Sequence, residues 1–370
     1  MIPVNRPLLD GNEKKYLVEC IDTQWISSEG PFIKEFEDKF SKSVNRRFGV
    51  AVSSGTAALD IALAALELAS GDEVIMPTFT IISCITSILN AKAVPVLVDC
   101  NDRNFNMDIS LIEQKISKRT KAILVVHIYG LPIDMDPVIE LANKYKLKII
   151  EDAAEMHGQQ YKGRPCGSFG DISIFSFYPN KLITTGEGGM VVTDDPHLAE
   201  RANSLRNLCF NPQQRFVHEE LGWNYRMTNM QAAIGVAQLE RLSEFVEIKK
   251  NLGQLYNKLL SGIDEIFLPI PGESYAENIY WVYPIVLKPI AKMNAKDLAR
   301  KLSDLGVQTR PFFWPMHKQP IFEKLNLFLN ESYPNSEYIA EFGLYLPSGV
   351  GTTELEISDV SKVLRQIFND

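Results

Sequence analysis

The chain has 370 residues, of which 45% are hydrophobic and 23% charged, and its net charge is −8. That length accommodates two domains and a large core, and the composition is ordinary for a globular protein. The acidic balance argues against non-specific binding to nucleic acid or to an anionic membrane surface, so a polyanionic small substrate needs a local cluster of positive charge.

The opening run Met1-Ile2-Pro3-Val4-Asn5-Arg6 carries no basic segment followed by an apolar one, and no apolar run is long enough to span a bilayer. A cytoplasmic location without membrane contact is therefore expected. Five scattered cysteines (Cys20, Cys84, Cys100, Cys166, Cys209) form no CxxC pair, so neither a metal site nor a disulfide framework is expected.

Short, continuous apolar runs at 48–53, 73–76, 94–98, 122–126, 147–150, 172–177 and 190–193 predict buried strands. Helical periodicity separates them at 56–69, 82–90, 110–116 and 137–145. The alternation predicts an α/β fold: a mostly parallel seven-stranded sheet, covered on both faces, in a large domain over 1–235. A long helix is expected over 231–260, with Leu239, Leu242, Phe245 and Ile248 as its buried stripe. It leads into a smaller C-terminal α+β domain over 236–370, with strands near 280–287 and 307–310 and helices near 295–305 and 355–368. The segment 311–347, rich in proline and aromatics, reads as ordered loop structure over a site.

The chemistry concentrates in three strings. Glu151-Asp152-Ala153-Ala154-Glu155-Met156-His157-Gly158 follows one apolar run, and Ser176-Phe177-Tyr178-Pro179-Asn180-Lys181 closes another. Thr184-Thr185-Gly186-Glu187-Gly188-Gly189 comes next and reads as a tight turn, not as a nucleotide loop. Open α/β sheets bind ligands at the C-terminal ends of their strands. A carboxylate and a lysine placed there suit a cofactor with a basic ring nitrogen at one end and an aldehyde at the other. Asp152 would keep the ring nitrogen protonated. Lys181 would hold the aldehyde covalently and, once free, carry protons. That cofactor is pyridoxal 5'-phosphate.

Ser54-Gly55-Thr56 opens a helix directly after a strand, a ready phosphate site, and Ser176 would add a hydroxyl to it. Arg226, Arg310, His317 and Lys318 are candidates to meet a diphosphate or sugar hydroxyls. Phe312, Phe313 and Trp314 either wall that pocket or serve packing, and His157 either touches a ligand or is satisfied by backbone.

These strings, within a likeness running from Ile2-Pro3-Val4 to Leu346-Pro347-Ser348, resemble the DegT/DnrJ/EryC1/StrS family of nucleotide-sugar aminotransferases. The resemblance implies the fold-type I architecture of pyridoxal-phosphate enzymes. It places Glu155 beside the cofactor's phenolic oxygen, and it has Asn224 reach the phosphate from a neighbouring subunit, hence a homodimer with shared active sites. Members that dehydrate instead of transaminating carry histidine where Lys181 stands, so the lysine implies amino transfer. The family usually has an aromatic residue stacked on the cofactor ring where this chain has Ile81. Either Ile81 covers the ring by dispersion or a nearby aromatic substitutes.

Three segments resemble the branch of the family that acts on GDP-4-keto-6-deoxymannose: Trp25-Ile26-Ser27-Ser28, Asn224-Tyr225-Arg226-Met227-Thr228-Asn229 and Arg310-Pro311-Phe312-Phe313 through His317. Tyr178-Pro179 departs from that branch. The implied reaction moves an amino group from an amino acid, L-glutamate, to the 4-keto carbon of that sugar, for an aminosugar of a bacterial surface polysaccharide such as O-antigen. A dTDP- or UDP-linked ketosugar is the alternative acceptor. An alternative of another class, a non-catalytic regulator binding the cofactor or a sugar nucleotide, predicts a fused DNA-binding segment or a basic face, and the sequence has neither.

Overall fold

The computed structural model describes residues 1–211 and 213–369. Helices α1 (Glu13–Asp22) and α2 (Pro31–Ser43) precede β1 (Phe48–Val52). Strand and helix then alternate through α3 (Gly55–Ala65), β2 (Glu73–Pro77), α4 (Ile82–Asn90), β3 (Val94–Val98), β4 (Thr120–Val126), α5 (Met135–Tyr145) and β5 (Lys148–Asp152). A small hairpin, β6 (Gln160–Tyr161) and β7 (Arg164–Pro165), leads to β8 (Ile172–Ser176), β9 (Gly189–Thr193) and α6 (Pro196–Arg206). The main sheet has seven strands in the order β1-β9-β8-β5-β4-β2-β3. Only β9 runs against the others, pairing antiparallel with both β1 and β8. Every residue of β2, β8 and β9 is buried, which is why these strands carry apolar side chains on both faces instead of on alternate positions only. Helices α3, α4 and α6 cover one face and α2 and α5 the other. The C-terminal ends of β1, β2, β5 and β8 come together at one edge of the sheet.

Three expectations need correction. The segment 110–116 forms two short 3₁₀ turns, Ile109–Leu111 and Glu113–Lys115. Asp108 Oδ1 accepts from the Ser110 N–H at 3.0 Å, and such local side-chain bonds compete with a continuing α-helix. The long helix is two helices, α7 (Asn229–Leu239) and α8 (Leu242–Leu260). At the break, Glu240 accepts from Asn12 Nδ2 and the Tyr16 hydroxyl, and Arg241 pairs with Asp10 and Glu244, so both side chains are tied outside the helix axis.

The third correction is to 311–347, which is not loop alone. After β10 (Ile266–Phe267), the hairpin β11 (Gly272–Glu273) and β12 (Ala276–Glu277), β13 (Tyr283–Leu287), α9 (Ala295–Asp304) and β14 (Arg310–Pro311), it holds α10 (Pro320–Lys324), α11 (Pro334–Phe342) and β15 (Gly343–Leu346). Its prolines start the two helices, where the missing N–H costs nothing. A second, antiparallel sheet has the order β10-β13-β15-β14. With α8, α9 and the closing helix α12 (Glu354–Asn369) it encloses its own apolar core.

The first residues join this second unit. Ile2 bridges Val307, the Ser348 N–H donates to the Val4 carbonyl at 3.2 Å, and Arg6 donates to the Gly351 carbonyl and pairs with Glu356. Between them, Asn5 Nδ2 donates to the Pro179 carbonyl at 2.9 Å. Among the described residues no helix is long and apolar enough to cross a membrane.

Candidate active site

Strand β5 ends in two adjacent carboxylates that leave opposite faces of the strand. Glu151 is fully buried and accepts from the N–H groups of Gly167, Phe169 and Gly170, from Ser173 Oγ and from His127 Nε2. The Ile133 N–H donates to His127 Nδ1 at 3.2 Å, so the His127 proton sits on Nε2 and points at Glu151. Burial works against the Glu151 charge, but His127 and the loop N–H groups hold its carboxyl down to about 2. Its work is structural.

Asp152 faces the cavity side. It is 3% exposed; Oδ1 accepts from the Ala154 N–H at 3.0 Å and Oδ2 from the Cys84 thiol at 3.4 Å. Burial pushes its carboxyl up, opposed by the Ala154 N–H and the Lys181 charge. Lys181 lies in the turn after β8, where its N–H donates to the Tyr178 carbonyl. Its Nζ stands 3.6 Å from Glu155 Oε1 and 4.1 Å from the centre of the Trp281 ring. Glu155 Oε2 accepts from the Tyr129 N–H at 2.7 Å. Burial, opposed by Lys181, pushes the Glu155 carboxyl up to about 7.

Ser54 caps α3, its Oγ accepting from the Ala57 N–H at 3.1 Å. The N–H groups of Gly55 and Thr56 have no acceptor within the helix and head it towards an anion. Thr56 Oγ1 shares a 2.8 Å hydrogen bond with Ser83 Oγ. A Cβ at Gly55 would lie 2.7 Å from Ser176 Cβ, so glycine is what lets the helix start close on the end of β8.

Ser54, Gly55, Thr56, Ile81, Asp152, Glu155, Ser176 and Lys181 all line one cavity of about 350 Å³. Ile81 is 44% exposed at its rim. Thr80 and Asn180, the latter in the string before Lys181, line it too, as do Ser83, Trp281 and Tyr345, which carry no local sequence signal. Trp281 and Tyr345 come from the second unit, where an aromatic in an apolar strand reads as core. A roomier cleft of about 930 Å³, between the end of α2, the β6–β7 hairpin and the start of α8, contains neither Lys181 nor Asp152 and is not the site.

The remaining candidates, Phe313 apart, lie outside this cavity. Asn224 is exposed and lies outside the cavity, pairing with Asn207 in an isolated bridge. Arg226 Nη1 donates to Asn207 Oδ1 at 2.8 Å, and Arg226 lines a separate cleft with Arg206 and Arg215. Arg310, exposed on β14, sits opposite Tyr345 in register and beside Pro311, which lines the cavity. His317 is buried with both ring nitrogens engaged, Nδ1 with Thr78 Oγ1 at 2.8 Å and Nε2 with Glu337 at 2.9 Å. It braces the Thr78 end of β2 and has no nitrogen free for substrate. Lys318 pairs with Glu337 too, and Phe312 is buried, while Phe313 lines the cavity and Trp314 is half exposed. His157 packs against Phe40, Phe175 and Phe177, and burial, aided by Lys181, pushes its imidazole down to about 3. It carries no charge into the site.

The cavity fits pyridoxal phosphate. A buried carboxylate with no arginine or lysine in hydrogen-bonding contact suits a protonated ring nitrogen. A capped helix start suits the phosphate, and an amine lies in the same cavity beside a second buried carboxyl. Asn180 Oδ1 is buried and unpartnered among the described residues, an acceptor left for a ligand donor.

Comparison with known proteins gives the same picture. The profile of the DegT/DnrJ/EryC1/StrS aminotransferase family matches residues 7–365. The chain is 38% identical over 369 residues to a GDP-perosamine synthase of Escherichia coli O157:H7, covering 100% of this chain and 99% of that protein. It is 41% identical over 367 residues to a GDP-perosamine synthase of Caulobacter vibrioides, covering 99% and 98%. The crystal structure of the aminotransferase TlmJ from Streptoalloteichus hindustanus superposes with a TM-score of 0.92 at 29% identity, covering 100% of this chain and 99% of that one.

Proposed function

The chain belongs to the DegT/DnrJ/EryC1/StrS aminotransferase family, and from that premise we propose that it converts GDP-4-keto-6-deoxymannose to GDP-perosamine, with L-glutamate as amino donor. The observation that carries the chemistry is the pairing in one cavity of buried Asp152 with the Lys181 amine. Support for the GDP sugar is the name that relatives 38% and 41% identical carry. The product suits a surface polysaccharide made from cytoplasmic sugar nucleotides.

Bound pyridoxal phosphate supplies the electron sink that amino transfer requires. The chain's own residues do the rest. Asp152 holds a proton at the ring nitrogen. The N–H groups opening α3, with Thr56 and Ser176, hold the phosphate. Lys181 Nζ takes the proton from the donor's α-carbon and delivers one to the sugar carbon in the second half of the cycle. Glu155, with a carboxyl near its midpoint at neutral pH, accepts a hydrogen bond or gives one as the charge beside it changes. Asn224 serves the site of a neighbouring subunit, which makes the working form a homodimer.

The test is a panel of GDP-, dTDP- and UDP-linked 4-keto-6-deoxysugars with glutamate, read by mass spectrometry. The GDP sugar is expected to gain an amine and keep its 3-hydroxyl. Many-fold faster turnover of a dTDP or UDP sugar would overturn the GDP assignment, and loss of the 3-hydroxyl would overturn amino transfer.

A further inference from the structure

Trp281 enters the cavity from the second unit, two residues before β13. It is 5% exposed, and three contacts tie it to the machinery around Lys181. Its ring lies under the lysine, with Nζ 4.1 Å from the ring centre. Its Nε1–H donates to the carbonyl of Asn180, the residue just before Lys181, at 2.9 Å. The ring also stacks on Tyr129, 6.1 Å away and tilted by 29°, and the Tyr129 N–H is the group that holds Glu155. The indole thus closes a circuit through Lys181, Glu155 and Tyr129. The approach is built into the backbone. Gly130 has φ +102°, and a Cβ there would stand 2.5 Å from the backbone nitrogen of Trp281. The Ile279 N–H donates to the Gly130 carbonyl, docking this segment on the turn.

An amine that is bonded to a cofactor in one part of a cycle and free in the next must not wander while it is free. The side chain of lysine has four rotatable bonds, and the carboxyl of Glu155 is close enough to draw the ammonium away. An indole face attracts an ammonium from a direction that leaves its donors unspent, and Trp is the best ring for this. We infer that Trp281 is the positioning residue for Lys181: its face keeps the freed side chain in reach of the reacting carbons, by cation–π attraction when the nitrogen is protonated and by van der Waals contact when it is not, and its N–H fixes the carbonyl behind it. The inference rests on the role of Lys181 proposed above.

The test uses the first half of the reaction alone. Cofactor-loaded wild type, Trp281→Phe and Trp281→Leu are mixed rapidly with L-glutamate, unlabelled or deuterated at the α-carbon, and the visible absorption is followed. A misplaced catalytic group costs on the order of a hundredfold, so Trp281→Leu is expected to react about that much more slowly. Its glutamate requirement should stay within about twofold of wild type, since ground-state binding is untouched. Its isotope effect should rise, because proton removal by Lys181 becomes the slow step, an effect that a packing defect would not produce. Trp281→Phe, which keeps a ring face, should fall between the two. Wild-type rates with a wild-type isotope effect in the leucine variant would overturn the inference. So would a raised glutamate requirement at unchanged maximal rate.

A second readout needs neither activity nor cofactor. In unloaded protein, Lys181→Met should change the tryptophan emission, and the same change made in the Trp281→Phe background should not. Emission that ignores Lys181 in both backgrounds overturns the contact, whether or not the leucine variant folds. A wild type that fails to react with glutamate would count against the proposed donor, while the emission comparison still decides this contact.

Discussion

Burial raises the carboxyls of Asp152 and Glu155 alike, but their neighbours assign them different work. Asp152 has the Ala154 N–H and the Cys84 thiol and lines the cavity, where its proposed work is to keep a ring nitrogen protonated. Asp152→Asn is therefore expected to fold and bind cofactor, while kcat falls on the order of a hundredfold or more, because an amide cannot hold the ring nitrogen protonated. Near-normal turnover in that variant would refute the role. For Glu155 the sign follows from proton binding. With its carboxyl raised from 4.5 to about 7, the folded chain keeps a proton that the unfolded chain has lost, so this group favours folding progressively less as pH climbs through that window. In unloaded protein, Glu155→Gln should match wild type near pH 4.5 and exceed it by up to about 3 kcal/mol above pH 7 in urea unfolding. Equal stability at pH 8 would rule out the raised carboxyl. Lys181 and Asp152 were legible because each follows an apolar run in a distinctive string. Trp281 was not, since nothing local in Tyr280-Trp281-Val282 distinguishes a cavity wall from core.

Strand β5 and the loop 167–173 are held together by Glu151. Removing its side chain leaves three buried N–H groups and the His127 proton without an acceptor. Glu151→Ala should cost several kcal/mol, about 1–3 kcal/mol for each buried donor left unpaired, again read by urea unfolding. A loss below about 1 kcal/mol would mean that packing alone holds the loop. In the wild type this stabilisation is present above the ordinary value of 4.5 and is lost as pH falls through about 2. The seven strands of the main sheet were legible because burial on both faces leaves a continuous apolar run. The breaks were not. Whether a helix continues past Glu240 depends on Asn12, Tyr16 and Asp10, more than 220 residues away in sequence. Likewise β15 is a central strand of the second sheet, but it sits in a stretch whose prolines and aromatics read as loop.

At the scale of the whole molecule, the proposed sharing of sites between subunits can be tested with variants of Asn224 and Lys181. If Asn224 serves the neighbouring subunit, Lys181→Ala and Asn224→Ala proteins, each impaired alone, should regain activity when unfolded together and refolded as mixed dimers. One site of each mixed dimer then carries both defects and the other neither. No recovery in mixtures shown to contain such dimers would place Asn224 outside the site. The strap formed by the first six residues has a further consequence, for the order in which the protein is made. Ile2, Val4 and Arg6 find their partners at Val307, Ser348, Gly351 and Glu356, all near the far end of the chain. Asn5, carried on that strap, grips the carbonyl two residues before Lys181. The strap therefore cannot dock until Val307, Ser348 and Gly351 have been made. The main sheet can assemble during synthesis, but the loop bearing the lysine gains the Asn5 restraint only after those later residues have been made.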